Sequence, residues 1–249
     1  MDGCPSLLVF GLVSPNPGSD AWVGGVEYVA GDIVDEAKLL EVFRTTLSIT
    51  LLLQSMDSQV KYTIESMNAE TGAVLSACRA VGVVELVYAL STGVVWTGAD
   101  IVGASEDDLP IPSKGYDAYH HTKGLGEKIV LGHDGVDGLQ VVVPRPCGMT
   151  GACDKQLIVK LTKVLKDGQQ NIQIGDNTSL VDYLYVSNAA RAHTLAANRL
   201  FSDPDTVAGQ VFFVTNGSPL PPWTFNRLIW KELSRGNEAS DDGKEQEKM

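Results

Sequence analysis

The sequence predicts an α/β fold, a doubly wound parallel sheet with a small C-terminal lobe. Three observations carry this. Short apolar runs alternate with helix-like stretches from residue 6 to residue 146. The runs Glu85–Leu90 (ELVYAL) and Leu139–Val143 (LQVVV) are near-continuously apolar, as strands covered on both faces are. The chain has 249 residues, 44% of them hydrophobic, enough for one sizeable core or a core plus a small lobe.

The elements follow in order. Ser6–Gly11 (SLLVFG) reads as a strand closed by a Pro/Gly-rich turn, and Val26–Ala30 (VEYVA) as a second strand. Asp35 is an N-cap candidate with Glu36 in the first turn, and Ala37, Leu39, Leu40 and Phe43 follow at helical spacing. Leu47–Leu53 reads as a buried strand and Met67–Ala80 as a helix. Residues 116–132 form an amphipathic helix, and the strand Leu139–Val143 is expected to stop at Pro144. Beyond Pro146, helices are expected over Leu157–Leu165, Val186–Leu200 and Pro222–Leu233, with a short strand at Val211–Val214. The expected boundaries are 1–146 for the sheet domain and 147–233 for the lobe. The acidic residues 234–249, with Met249 the one large apolar side chain, read as a disordered tail.

Composition excludes several roles. The formal net charge is -12, which disfavours nucleic-acid binding because phosphate attraction needs a basic face. Cys4, Cys78, Cys147 and Cys153 form no CxxC pair and have no histidine at ligand spacing, so no metal site is expected and the thiols read as reduced and intracellular. No apolar stretch reaches the ~20 residues of a membrane span, and no secretory signal is visible. Peripheral membrane association and a homodimer remain open.

Tyr119 and Lys123 stand four apart on the 116–132 helix and share a face. A tyrosine is a weak base at neutral pH, but a nearby ammonium favours phenolate and brings it into a useful range. The spacing alone also describes an ordinary helix-surface pair. Ser91 follows the buried run ELVYAL, at the carboxyl end of a strand, where open α/β sheets bind ligands. A serine there can hold a reacting oxygen against the tyrosine; alone it would read as a turn residue.

The run from Leu86 to Leu131, which contains LVYALSTGVVWTG and DAYHHTK, resembles the extended short-chain dehydrogenases of the 3β-hydroxysteroid dehydrogenase/isomerase family, within it the fungal sterol-4α-carboxylate 3-dehydrogenases. The likeness continues in VEYVAGDIVDEAKLLEVF, PRPCGMTGACDKQLI, IQIGDNTSLVDYLYVSNAARAH and FFVTNGSPLPPWTFNRLIW. It implies a Rossmann-like domain, N-terminally incomplete, with a substrate-binding lobe. It further implies NAD or NADP as cofactor, a sterol or steroid substrate, and a cytoplasmic or endoplasmic-reticulum-surface location. By the same resemblance Tyr119 is the acid/base, Lys123 binds the nicotinamide ribose and lowers the tyrosine pKa, and Ser91 positions the substrate oxygen. Asp32 and Ile33 contact the adenine side, Pro146, Cys147 and Gly148 line the nicotinamide, and Asn68 supports the architecture. His120 and His121 occupy positions that vary in the family and receive no role. Asp182 and Tyr185 read as packing and loop hydrogen-bonding residues.

The sequence departs from the family pattern in three places. No GxxGxxG turn follows an opening strand, and SLLVFG matches the family's second strand, with Gly11 where a ribose-contacting acid would stand. Leu53, Gln54 and Ser55 replace small residues, and Leu90 and Thr92 flank Ser91 where Ser and Ala are usual. These departures suggest a truncated or mis-spliced gene product or a decayed relative. The functional expectation is oxidation of a 3β-hydroxyl on a 4-carboxysterol, with decarboxylation. The alternatives are a catalytically inactive relative and an extended dehydrogenase or epimerase acting on another alcohol.

Overall fold

The computed structural model describes residues 7–11, 14–19, 22–44, 48–52, 64–152 and 154–246. Cys4, Ser6, Leu47, Leu53, Gln54, Ser55, Cys153 and Met249 lie outside these. The chain divides into two compact units, one made of residues 1–146 and 189–214, the other of 147–188 and 215–249.

The first unit holds two parallel sheets. Strands β1 (Leu7–Gly11) and β2 (Val26–Ala30) pair in parallel, Leu7 opposite Val26 and Gly11 opposite Ala30. The fourteen-residue connection between them contains a turn at residues 17–19. Helix α1 (Glu36–Phe43) starts where the sequence places it, with the Asp35 side chain accepting from the Lys38 N–H.

The larger sheet has the order β3 (Ser48–Leu52), β4 (Glu85–Ala89), β5 (Gln140–Pro146), β8 (Gln210–Val214), all parallel. Helix α2 (Ile64–Val81) carries the chain from β3 to β4, and α3 (Ala118–Leu131) from β4 to β5. Every residue of β4 is buried. Its Leu86 and Tyr88 join Val74, Cys78, Val130, Val141 and Val143 in the main core. Gly126 lets α3 close on this core: a Cβ there would stand 2.6 Å from the Tyr88 hydroxyl.

Three boundaries differ from the sequence expectations. Strand β5 does not stop at Pro144 but runs to Pro146, because β8 pairs with it through Val143, Pro144, Arg145 and Pro146. The proline lacks only a donor, and its carbonyl accepts from the Leu90 N–H at 2.9 Å. Residues 189–214, expected in the lobe, lie in the first unit, since β8 pairs with β5 and most of helix α5 (Val186–Ser202) falls in this stretch. There Leu200 joins Val87 and Val142 in a second apolar cluster. Helix α6 (Pro222–Gln246) continues past Leu233 into the acidic stretch that the composition reads as a disordered tail.

The second unit contains the parallel pair β6 (Gly148–Thr150) and β7 (Tyr183–Tyr185), helix α4 (Leu157–Lys166) and α6. Trp230 on α6 is buried and donates its indole N–H to the Leu161 carbonyl at 2.9 Å. Tyr183 stacks on Phe225 with ring centroids 3.7 Å apart. Asp182 accepts from the Asn216 and Ser218 N–H groups, both at 2.9 Å, the loop role the sequence assigns to it. Among the described residues, no helix is long and apolar enough to cross a membrane.

Candidate active site

The carboxyl end of β4 leads into Ser91, which caps a short 3-10 turn over Thr92–Val95. The Ser91 hydroxyl oxygen accepts from the Gly93 N–H at 3.2 Å, so its own proton remains available to donate. Helix α3 packs against this turn and begins at Asp117, whose carboxylate accepts from the His120 N–H at 2.9 Å. Its first two turns carry Tyr119, half-buried, and Lys123, only 3% exposed. The structure thus brings Ser91, Tyr119 and Lys123 onto two adjoining elements of one unit.

Burial defines the chemistry of Lys123. Desolvation lowers its pKa to about 8, against a smaller opposing pull from Glu70 on α2. The Glu70 carboxyl is pushed up by its own burial, drawn down by Lys123, and pushed up by Asp32. Asp32, Glu70 and Lys123 therefore share one electrostatic neighbourhood. Asp32 is exposed and accepts from the Val34 N–H at 3.1 Å, while Ile33 packs against the core. Glu70 is a group the sequence reading does not single out; its signal is only its place two residues after Asn68. Asn68 itself is exposed on α2.

Two further features of α3 carry no role in the sequence reading. Glu127, four residues beyond Lys123, forms a buried two-point ion pair with Arg145 of β5, its Oε2 accepting from Nε at 2.9 Å and its Oε1 from Nη2. The spacing Tyr119, Lys123, Glu127 was the available signal, since residues four apart stack on one helix face. The other is His120. Its Nδ1 is 2.7 Å from the Asp117 carboxylate, and its ring lies among Trp96, Tyr116 and Tyr119.

The remaining residues expected to meet a cofactor are distributed over both units. Pro146 ends β5 and is buried in the first. Cys147 and Gly148 belong to the second. Burial and the Asp182 carboxylate push the Cys147 thiol up to about 11, which keeps it protonated and unreactive. Gly148 is exposed with open space where a Cβ would stand. Among the described residues, no group of three or more His, Cys, Asp or Glu side chains could hold a metal ion.

The described residues fit the nicotinamide-ribose side of a dinucleotide. Lys123 offers a buried ammonium beside the turn that carries Ser91, and the exposed Asp32 offers an acceptor in the same neighbourhood. A ribose presents hydroxyls that pair with both kinds of group.

Comparison with known proteins gives concordant results. The 3-beta hydroxysteroid dehydrogenase/isomerase family matches residues 14–240. The chain is 43% identical over 160 residues to the decarboxylating sterol-4-alpha-carboxylate 3-dehydrogenase of Schizosaccharomyces pombe, which covers 64% of this chain and 46% of the relative. The corresponding Saccharomyces cerevisiae protein is 42% identical over 165 residues, 65% of this chain and 47% of its own. The 3beta-hydroxysteroid-dehydrogenase/decarboxylase isoform 1 of Arabidopsis thaliana is 31% identical over 218 residues, 84% and 49% respectively. The chain thus spans about half the length of the curated relatives it matches. Among solved structures, the dTDP-glucose 4,6-dehydratase of Streptomyces venezuelae, with NAD bound, superposes with a TM-score of 0.73 at 18% identity, covering 92% of this chain and 73% of that one. The UDP-glucose 4-epimerase of Brucella ovis, in complex with NAD, gives 0.70 at 20% identity, with 92% and 74% covered. These two likenesses show the fold, a Rossmann-like α/β domain.

Proposed function

The chain belongs to the 3-beta hydroxysteroid dehydrogenase/isomerase family, and we propose that it serves as an NAD(P)-dependent oxidoreductase acting on the 3β-hydroxyl of a 4-carboxysterol. The observation that carries this reading is the buried Lys123, its pKa lowered by desolvation, one turn from Tyr119 on the helix packed against the Ser91 turn. The substrate class follows from the relatives, whose names specify sterol-4-alpha-carboxylate as the compound oxidised.

The residues divide the work. Ser91 donates its hydroxyl proton to the C3 oxygen of the sterol and fixes it in place. Tyr119 takes the proton from that oxygen as the C–H bond breaks. The Lys123 ammonium favours the phenolate form of Tyr119 and holds ribose hydroxyls. A bound nicotinamide supplies the hydride acceptor. Asp32, Ile33 and Pro146 are the further contacts proposed for it in the first unit; Cys147 and Gly148 keep that role on the resemblance alone. Oxidation leaves a ketone β to the carboxylate. The carbon–carbon bond then releases CO2, its electron pair passes into the ketone as an enolate, and C4 is reprotonated. The location proposed with this reading is the cytoplasm or the surface of the endoplasmic reticulum, the latter within reach of a membrane-dissolved sterol.

The test is direct. The full chain, a 4-carboxy-3β-hydroxysterol and NAD+ or NADP+ are expected to yield NADH or NADPH and CO2. Tyr119→Phe removes the group that takes the proton and is expected to lower kcat by roughly 10²- to 10⁴-fold with little change in KM. Unchanged turnover in that variant would overturn the assignment.

A further inference from the structure

The 3-10 turn that begins at Ser91 ends at Trp96, whose backbone N–H donates to the Gly93 carbonyl at 3.0 Å. Trp96 packs on Tyr116, the residue before the α3 cap, with ring centroids 4.3 Å apart and planes tilted by 39°. The indole N–H donates to the Ala99 carbonyl at 2.9 Å, so the rest of the ring is left to make apolar contacts. A glycine at position 98 admits Tyr116 to this place: its φ is +98°, and a Cβ there would stand 3.0 Å from the phenol ring. Tyr116 is nonetheless 57% exposed, and Trp96 is half-buried. The pair adjoins the candidate site, because Tyr116 and Tyr119 meet the same His120 ring edge-on, at 6.1 and 5.3 Å between centroids.

Binding sites for small molecules combine apolar and aromatic area, which holds the body of the ligand, with a few polar groups that fix its orientation. Ser91 and Tyr119 are the polar groups here. A 4-carboxysterol carries its polar groups at C3 and C4 and is otherwise a rigid apolar ring system. With its C3 oxygen at Ser91 and Tyr119, the rest of that ring system needs apolar surface close by, at the carboxyl end of β4. Trp96 and Tyr116 offer it. We propose that these two side chains form a shelf for one face of the sterol ring system, setting affinity for the substrate without taking part in proton transfer. The proposal rests on the 3β-hydroxysterol reading of the same site.

Binding of a 4α-carboxy-3β-hydroxysterol, presented in cyclodextrin to the full chain, tests it by calorimetry and by tryptophan emission. Tyr116→Ser removes an exposed ring and is expected to raise Kd about tenfold. Tyr116→Phe keeps the ring and should bind as wild type does. Trp96→Phe also keeps a ring, so binding persists, but most of the sterol-induced change in emission should vanish, since the shelf places the sterol on Trp96 and not on Trp22, Trp223 or Trp230. That spectral readout separates contact with the ligand from a loop merely held in place, and it decides the matter if Tyr116→Ser does not fold. Wild-type affinity in Tyr116→Ser overturns the proposal, as does an emission change undiminished in Trp96→Phe. Equal losses in Tyr116→Ser and Tyr116→Phe would put the hydroxyl against the ligand in place of the ring, and overturn it as well. If the shelf fails in this way while wild type still reduces NAD(P)+ with the sterol and Tyr119→Phe does not, the 3β-hydroxyl reading stands. A wild type that binds no sterol overturns the proposal too, and the Tyr119→Phe comparison then judges the wider reading.

Discussion

The two parallel sheets of the first unit are covered to different degrees. In β4 every residue is buried, and Val141 to Pro146 of β5 are buried as well. In β1 and β2 the described side chains are half-buried at best, and Val9 is 42% exposed. The connections explain the contrast. Helices α2 and α3 link β3 to β4 and β4 to β5 and lie over the sheet, whereas the described residues joining β1 to β2 form a turn and no helix. A parallel sheet is normally buried because its crossover helices cover it. The candidate site follows the covered sheet: Lys123 and the Glu127–Arg145 pair sit where water is excluded, with Ser91 half-buried on the adjoining turn, and burial of this kind is what lowers the Lys123 pKa.

The largest test of this contrast is the ion pair. Glu127 is 1% and Arg145 3% exposed, and the Arg145 Nη1 already has no hydrogen-bond partner among the described residues. Glu127→Gln leaves a buried guanidinium without its countercharge and is expected to cost about 3–5 kcal/mol. The double variant Glu127→Met with Arg145→Met removes both charges together and should recover most of that loss. Urea unfolding of the three proteins checks it; a single variant within 1 kcal/mol of wild type, an order-of-magnitude margin, would show the pair to be solvated.

The next test concerns Lys123. Folded, it loses its proton near 8; unfolded, near its ordinary 10.5. Between those values the unfolded chain holds a proton that the folded chain has released, so the unfolding free energy rises with pH across that window. The burial cost is at its full size below about 8, on the order of 3 kcal/mol. Lys123→Met should abolish this rise and yet lower turnover, because the phenolate loses its cation. Stability measured from pH 7 to pH 10 in both proteins reads the slope; equal slopes would place the lysine in water.

These sites differ in how far the sequence disclosed them. The buried strand ELVYAL, the Asp35 cap and the Tyr119–Lys123 face were legible because hydrophobic period, capping chemistry and helix spacing are local properties. The passage of β5 through Pro144 was not, since it depends on β8, which lies more than sixty residues further along the chain. The return of residues 189–214 to the first unit has the same cause. Glu70 was missed for another reason: its electrostatic neighbour Lys123 lies on a different element. Spacing along the chain does not encode that encounter.

The smallest expected effect lies on the exposed sheet and completes the contrast. Val9→Thr exchanges a methyl for a hydroxyl of similar size on a β-branched frame, so strand propensity is kept. At a position 42% exposed, water satisfies the new hydroxyl, and the change should stay within about 0.5 kcal/mol. The same exchange at Val87 in β4, which is 0% exposed, strands a hydroxyl among Val142 and Leu200 and should cost about 1–3 kcal/mol. The midpoints of the two variants in urea, at unchanged m, measure the difference between a covered and an uncovered parallel strand. Equal losses at the two positions would mean that β1 is as fully shielded as β4, and that the coverage by α2 and α3 is not what sets the chemistry of α3 apart.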